Sequence, residues 1–224
     1  MHILITAGPT REYIDPVRFV SNSSTGFFGY QIASEAVRRG HKVTLISGPV
    51  CLPPPKGARL ISVVSALDMK SAVEKFFPFS DCLIMSAAVA DYSPARVSPR
   101  KIKKNKKSLT LRLVKTPDIL SCLAKKKKNK IVIGFALETE ALKVNAQKKL
   151  KAKHLDYIVS TSIGNKRSPF GDRKVGILII GKDGSGEKIF SSKNDLSRII
   201  LDKAESAKYP YVRRGGVPKS GRVT

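Results

Sequence analysis

The sequence predicts an α/β protein built on a Rossmann-like open sheet that is mainly parallel and carries helices on both faces. Short apolar runs rich in β-branched residues alternate with segments of helical periodicity along most of the chain. The apolar runs are nearly continuous, which is typical of strands covered on both sides. With 224 residues, the chain is long enough for one domain with a substantial core.

Seven strands and five helices follow from these patterns. The predicted strands are HILITA (2–7), KVTLIS (42–47), LISVV (60–64), CLIMSAAV (82–89), KIVIGFAL (130–137), DYIVST (156–161) and KVGILII (174–180). The predicted helices span residues 26–39, 66–76, 117–127, 139–153 and 193–207. The basic segment 98–114 is expected to form a flap loop that leads into an alternating strand. We place the domain at residues 1–207 and expect 208–224 to be a disordered basic tail.

The charge balance is unusual, with 42 Lys and Arg residues against 17 Asp and Glu residues and a formal net charge of +25. Such a field attracts nucleic acid, but it also suits phosphorylated substrates and triphosphates. Aromatic residues make up 7% of the chain and do not interleave with the lysine runs, so stacking platforms are not evident. A basic nucleic-acid-binding protein on an α/β sheet is therefore the alternative, and we do not expect nucleic acid as a partner.

The cysteine content and the hydropathy of the chain exclude further classes of protein. The three cysteines are scattered, and no CxxC pair accompanies the three dispersed histidines, so we expect neither a disulfide framework nor a protein-built metal site. No segment approaches the ~20 apolar residues that cross a bilayer, and the N-terminus has no basic leader. We therefore expect a soluble, cytoplasmic protein without a membrane partner.

The stretch SNSSTGFFGYQ (21–31) follows the first strand and opens the first predicted helix. Gly26 and Gly29 would permit close backbone approach, and Ser24 or Thr25 is expected to cap the helix. Exposed amides at the helix start would favour an anion, although an ordinary capped helix explains the same residues as well. The GxGxxG fingerprint and the Walker loop are absent, which disfavours a conventional nicotinamide site.

Two later loops should gather at the same edge of the sheet, because parallel strands end together there. In SAAVADYSPARVSPRKIKKNKK, small residues leave room for a flat ligand and Asp91 is the first acid after the strand. In GFALETEALKVNAQKKLKAKHLD, Phe135 offers a ring for stacking. Lys149 and Lys153 lie four residues apart on a predicted helix, where they repel unless an anion lies between them. A solvated lysine face would explain the pair equally well.

Five motifs together resemble the phosphopantothenate-cysteine ligase (phosphopantothenoylcysteine synthetase) family. ITAGPTREYIDPVRFVSNSSTG, AAVADY, KIKK, TPDIL, and GFALETE followed by KKLKAKHLD occur in family order over approximately residues 1–200. The resemblance implies a coenzyme A biosynthesis enzyme that joins 4'-phosphopantothenate and L-cysteine through an acyl-nucleotidyl intermediate. It implies CTP as the nucleotide, with ATP as the alternative, and Mg²⁺ arriving with the triphosphate. It also implies a homodimer and, for this stand-alone form, a separate decarboxylase in the same pathway.

The resemblance also implies roles for single residues. Asn22 would hold the acyl-cytidylate, with a loop-shaping role as the alternative, and Lys101 would act catalytically from the flap by closing over the phosphates. The nucleotide would be bound by Gly26, Ala87, Asp91, Pro117, Asp118, Ile119, Leu120, Phe135, Lys149 and Lys153. The chain departs from the family at Phe27 and Phe28, where relatives often carry Lys and Met, and at STSI (160–163), where they often read ANDV.

Overall fold

A computed structural model describes residues 1–104, 107–163 and 169–210. An eight-stranded sheet forms the centre, and two short two-stranded ribbons flank it. The strands in chain order are β1 His2–Ala7, β2 Arg11–Tyr13, β3 Phe19–Ser21, β4 Lys42–Ser47, β5 Arg59–Ser62, β6 Cys82–Met85, β7 Tyr92–Pro94, β8 Leu113–Lys115, β9 Ile131–Glu138, β10 Tyr157–Ser162, β11 Val175–Gly181 and β12 Gly186–Ser191.

The strand order of the central sheet is β12-β11-β10-β9-β6-β1-β4-β5. Six neighbouring strands of this sheet, β10, β9, β6, β1, β4 and β5, are parallel. The strands β11 and β12 add an antiparallel hairpin at one edge. The chain runs outward from β1 to β5 and then returns to the other side of β1 with β6. Open sheets bind ligands beyond the carboxyl ends of the strands at such a reversal. The predicted mainly parallel open sheet is confirmed.

Helices cover both faces of the sheet, as predicted. They are α1 Phe27–Arg38, α2 Ala66–Phe76, α3 Ile119–Ala124, α4 Leu142–Ala152 and α5 Lys193–Lys208. One core contains α1 and α5 packed on one face of the strands, and the other contains α2, α3 and α4 on the opposite face. Because each strand is buried on both sides, its apolar residues run continuously along the sequence. No helix among the described residues is long and apolar enough to cross a membrane.

Several elements differ from the prediction. The predicted strand 82–89 ends at Met85, because the next residues bond instead with the end of β1 and the loop after it. Ala87 N donates to Thr6 Oγ1 (3.1 Å), and Ala88 N donates to Gly8 O (2.9 Å). The alternating strand expected at the end of the flap is only the three-residue β8. The ribbons β2–β3 and β7–β8 were not predicted, since three-residue strands carry almost no periodicity. The six-residue edge strand β12 was not predicted either, because its sequence GEKIFS is mostly exposed and contains no apolar run.

The last helix ends one residue later than predicted, and the domain boundary at residue 207 stays a prediction. Lys208, the first residue of the predicted tail, is the last residue of α5, and its Nζ lies 2.9 Å from Asp81 Oδ1. Residues 211–224 lie outside the described residues, so the tail prediction stays a prediction. The same holds for residues 105 and 106 within the basic flap.

Candidate active site

A cleft of about 650 Å³ opens beyond the carboxyl ends of β1, β6 and β9, where the three long loops meet. It brings together eleven of the twelve predicted site residues: Asn22, Gly26, Ala87, Asp91, Pro117, Asp118, Ile119, Leu120, Phe135, Lys149 and Lys153. The volume is within the usual range for a small-molecule site. Parallel topology thus assembles residues that are up to 131 positions apart in the chain.

The start of α1 forms one wall of the cleft. Its N-cap is Gly26, with φ +76°, and no side chain caps the helix. The expected cap by Ser24 or Thr25 is therefore wrong. Ser24 Oγ accepts from Gly26 N (3.2 Å), and Thr25 Oγ1 accepts from Phe27 N (3.4 Å). Neither hydroxyl group reaches the second or third amide of the helix, which a capping side chain would bind. First-turn amides without a side-chain cap favour an anion in the cleft.

Gly29 sets how closely α1 approaches the sheet. A Cβ at this position would lie 2.6 Å from both Ala7 Cβ and Ser86 Oγ, at the ends of β1 and β6. Real Cβ atoms do not come so close, so the first turn of α1 could not reach its position with a larger residue. The expected close backbone approach at Gly29 is confirmed.

Asn22 ties two loops of the cleft together. Its Nδ2 donates to the carbonyl oxygens of Ala88 (3.2 Å) and Val89 (3.0 Å), so both amide hydrogens bond to the loop after β6. Thr10 Oγ1 braces the same loop by accepting from Ala90 N at 2.9 Å. This geometry is that of the loop-shaping alternative, and the binding of an acyl-nucleotide by Asn22 stays a prediction.

Lys149 and Lys153 line the cleft, and each is paired with a carboxylate. Lys149 Nζ lies 2.6 Å from Glu138 Oε1, and Lys153 Nζ lies 3.2 Å from Asp118 Oδ2. The mutual repulsion predicted from helical spacing is thus offset by acids from β9 and from the start of α3. Burial raises the pKa of the Asp118 carboxyl, but the hydrogen bonds from Ser121 and the charge of Lys153 outweigh it and lower the pKa overall.

Aromatic rings line the same cleft. The ring centroid of Phe135 lies 5.4 Å from that of Phe28 in an edge-to-face arrangement. Phe28 thus meets the ring that was expected to stack on a ligand. The pair gives this part of the cleft an apolar floor, a favourable contact for a flat ligand.

Lys101 is exposed and is absent from the lining of the cleft among the described residues. The base of its flap is anchored next to it, since Ile102 N donates to Asp15 Oδ2 (3.1 Å) and Arg18 Nη1 donates to Ile102 O (3.3 Å). Asp15 is fully buried and also accepts from Val17 N and Arg18 N at 2.8 Å. Burial raises the pKa of the Asp15 carboxyl, but these backbone donors and Arg18 lower it to about 2.

Sequence reasoning missed Lys193, which also lines the cleft. It is 4% exposed, and its Nζ donates to Pro169 O (2.7 Å) and to Gly171 O. Burial lowers the pKa of the Lys193 amine, and the nearby Asp172 partly opposes that shift. In the sequence, a lysine after a helix-capping serine is indistinguishable from a solvated surface residue, so no signal pointed to it.

Within the described part of the chain, no group of three or more His, Cys, Asp or Glu side chains is arranged to hold a metal ion. Asp91 is the exposed carboxylate nearest the exit of β6. One exposed carboxylate can supply a single ligand to a hydrated Mg²⁺ whose other ligands are water and phosphate oxygens.

The cleft beyond the carboxyl ends of the parallel strands, with a helix N-terminus and lysines on its walls, defines a Rossmann-like α/β protein with a candidate site for an anionic ligand. Residues 1–207 match the model of the DNA/pantothenate metabolism flavoprotein C-terminal domain family, and the chain belongs to that family. The family resemblance read from the motifs is confirmed.

Two curated relatives carry the same name, Coenzyme A biosynthesis bifunctional protein CoaBC. The protein of Bacillus subtilis (strain 168) is 48% identical over 204 residues, and that of Escherichia coli (strain K12) is 40% identical over 207 residues. These matches cover 90% and 91% of this chain but 50% and 51% of the relatives. The chain therefore spans about half the length of the curated relatives it matches.

A solved structure covers the matched region by itself. The crystal structure of the C-terminal domain of Coenzyme A biosynthesis bifunctional protein CoaBC superposes with a TM-score of 0.78 at 38% identity. The match covers 91% of this chain and 93% of that one. The fold is thus the fold of that C-terminal domain.

Proposed function

We propose that the chain is a ligase of coenzyme A biosynthesis that joins 4'-phosphopantothenate to L-cysteine through an acyl-nucleotidyl intermediate. The observation that carries the proposal is the single cleft that unites eleven of the residues which the family resemblance assigns to the reaction. Membership of the family whose relatives are named for coenzyme A biosynthesis supports the same activity.

The proposed reaction has two steps. The pantothenate carboxylate attacks the α-phosphate of the nucleotide, which releases pyrophosphate and forms the acyl-nucleotide. The cysteine amine then attacks the acyl carbon, and the nucleoside monophosphate leaves with the electron pair of the acyl–oxygen bond. Both steps develop charge on phosphate oxygens, which fixed donors stabilise. The uncapped first turn of α1 offers such donors, and Lys149 and Lys153 lie where a nucleotide can recruit them from their carboxylates.

CTP is the proposed nucleotide, with ATP as the alternative. Backbone groups of the segment 116–120, which leads into α3, and the wall formed by Phe135 would face the base, and such contacts can read a base edge. Mg²⁺ would enter with the triphosphate and be held chiefly by its oxygens, because one exposed carboxylate, Asp91, cannot build a cage by itself.

A homodimer is the proposed assembly. The ribbons β2–β3 and β7–β8 touch each other and expose apolar side chains beside the cleft. A cytoplasmic location and a separate decarboxylase that consumes the product stay predictions. The curated relatives are named bifunctional and extend well beyond the matched region.

Pyrophosphate release tests the proposal. The purified protein would be incubated with 4'-phosphopantothenate, Mg²⁺ and each of the four ribonucleoside triphosphates, with and without cysteine. We expect release with CTP, and the product 4'-phosphopantothenoyl-cysteine by mass spectrometry once cysteine is added. Reactions without 4'-phosphopantothenate control for nucleotide hydrolysis. Absence of turnover with all four nucleotides would overturn the proposal.

A further inference from the structure

A buried lysine joins separate parts of the cleft wall. Lys193 begins α5, and its ammonium group donates to the carbonyl oxygens of Pro169 (2.7 Å) and Gly171. A buried ammonium is costly unless its hydrogens have partners, so these two carbonyls and the amine stabilise one another. The segment 169–171, which lines the cleft, is therefore held by the start of the last helix.

The same segment continues to the start of α1. Gly171 N donates to Thr25 Oγ1 at 3.3 Å, and this hydroxyl also accepts from Phe27 N at 3.4 Å. The ring centroid of Phe27 lies 5.8 Å from Lys193 Nζ, close enough for a cation–π contact. A chain of contacts thus runs from α5 through 169–171 to the helix turn whose amides face the cleft.

The start of α5, which carries Lys193, is fixed by a helix cap and by core packing. Ser192 caps α5 by accepting from Asp195 N (3.2 Å), and Ser197 Oγ donates to Lys193 O (2.7 Å). The body of α5 packs against α1 through buried residues such as Leu196 and Ile200. The amine is therefore placed by a helix that belongs to the core, while the segment it holds belongs to the cleft.

We propose that Lys193 is a positioning residue for the cleft: it holds the segment 169–171 against Thr25 and thereby sets the first turn of α1 against the anionic substrate. The identity of that substrate rests on the proposed function, whereas the positioning of the wall rests on the contacts alone. A lysine suits this task because its compact ammonium group carries three donor hydrogens, two of which bond to the carbonyl oxygens of Pro169 and Gly171.

The test compares Lys193→Met, which keeps the length of the side chain and removes its donors, with Lys203→Met on the same helix. Lys203 is a matched control, since it is partly exposed and pairs with Glu187 outside the cleft. Peptide-resolved hydrogen–deuterium exchange should accelerate on the order of tenfold in peptides covering 24–28 and 169–175 of Lys193→Met, and nowhere else. The KM for the nucleotide should rise about tenfold while kcat changes less than about threefold. The control should change neither quantity.

Thr25→Val provides a second approach, because it removes the acceptor of Gly171 N without touching the lysine, and it should reproduce the local exchange change and the rise in KM. If Lys193→Met does not fold, this variant decides the question. Unchanged exchange at 24–28 in both variants would overturn the proposal, as would faster exchange spread over the whole sheet with an unchanged KM. A wild-type protein without turnover would overturn the proposed function, and the exchange experiment would still decide the positioning role.

Discussion

At the scale of single residues, Lys101 belongs to a motif of the family site but does not line the cleft in this structure. The lysine belongs to KIKK, yet its side chain is exposed and the adjacent Ile102 is the residue tied to Asp15. A flap anchored at Ile102 would have to bring Lys101 over the cleft when the triphosphate binds.

Lys101→Gln is expected to reduce acyl-nucleotide formation at least a hundredfold, since the cation that would stabilise the developing phosphate charge is lost. The melting temperature should not change, because an exposed side chain contributes little to stability. Single-turnover pyrophosphate release measures the effect. Lys104→Gln, in the same flap, serves as the control and should retain most activity. Near-normal release by Lys101→Gln would remove this lysine from the mechanism.

Asn22→Asp separates the two roles of the asparagine. A carboxylate cannot donate to Ala88 O and Val89 O and would repel both carbonyls, so the loop-shaping role predicts that both half-reactions fall together with the melting temperature. A role in binding the intermediate predicts instead that the acyl-nucleotide accumulates before cysteine is added. The geometry favours the first outcome. Mass spectrometry of the intermediate, alongside thermal unfolding, distinguishes the two results.

At the scale of elements, the flap and the β2–β3 ribbon share one buried carboxylate. Asp15 joins the turn of the ribbon, through Val17 and Arg18, to Ile102 at the base of the flap. A single side chain therefore sets the relative position of two segments that are far apart in sequence.

Asp15→Asn should lower the melting temperature at pH 7, because an amide directs two hydrogens toward groups that are themselves donors. The folded pKa of Asp15 is about 2 against an ordinary value of 3.8, so its stabilising contribution is complete above about pH 4 and disappears as the pH falls toward 2. Thermal unfolding between pH 7 and pH 2 should thus show the two curves converge on the acid side. Glu187→Gln, an exposed control, should follow the wild type throughout. A constant difference across this range would contradict the assignment.

Gly29→Ala tests how tightly α1 must pack on the sheet. The added Cβ would lie 2.6 Å from Ala7 Cβ and Ser86 Oγ, so the first turn must move away from β1. We expect a loss of about 1–3 kcal/mol in the free energy of unfolding, measured by urea denaturation. Gly186→Ala in β12 is the control, because its Cβ would meet no atom within 4 Å. Equal stability of the two variants would show that the close approach is not needed.

At the scale of the whole molecule, the exposed apolar surface of the two ribbons predicts self-association. Tyr13, Phe19, Tyr92, Leu113 and Val114 are each between 37% and 48% exposed on strands that lie beside the cleft. Exposed apolar side chains gathered on neighbouring strands of a charged protein commonly mark an interface. The large positive charge disfavours random association, so any self-association should use this surface.

Sedimentation equilibrium is therefore expected to give twice the chain mass of 24.5 kDa. Leu113→Glu should shift the equilibrium toward the monomer, because it places a charge within the apolar surface. Phe190→Glu is the matched control: Phe190 is 72% exposed on the edge strand β12, and its replacement should leave the mass unchanged. A wild-type monomer at micromolar concentration, or equal effects of both variants, would count against the proposed interface.

Much of this architecture could be read from the sequence, because the signals are local. The strands His2–Ala7 and Lys42–Ser47 match the predicted runs at both ends, and the five predicted helices are all present. Each of these elements is specified by the spacing of its apolar residues and by the Gly, Pro and polar residues at its ends, all within a short stretch of sequence. Motif order likewise indicated eleven residues that line one cleft, since parallel strands end at one edge.

The sequence by itself determined the α/β class, the alternation of strands and helices that makes the sheet mainly parallel, and the edge of the sheet where the site lies. Tertiary structure decided the partners of each side chain: Glu138 for Lys149, Asp118 for Lys153, and two backbone carbonyls for Asn22. It also made Lys193 part of the cleft and left Lys101 outside it. Periodicity records which face of an element is buried, whereas a hydrogen bond or ion pair depends on how distant segments meet, and no local pattern encodes that distance.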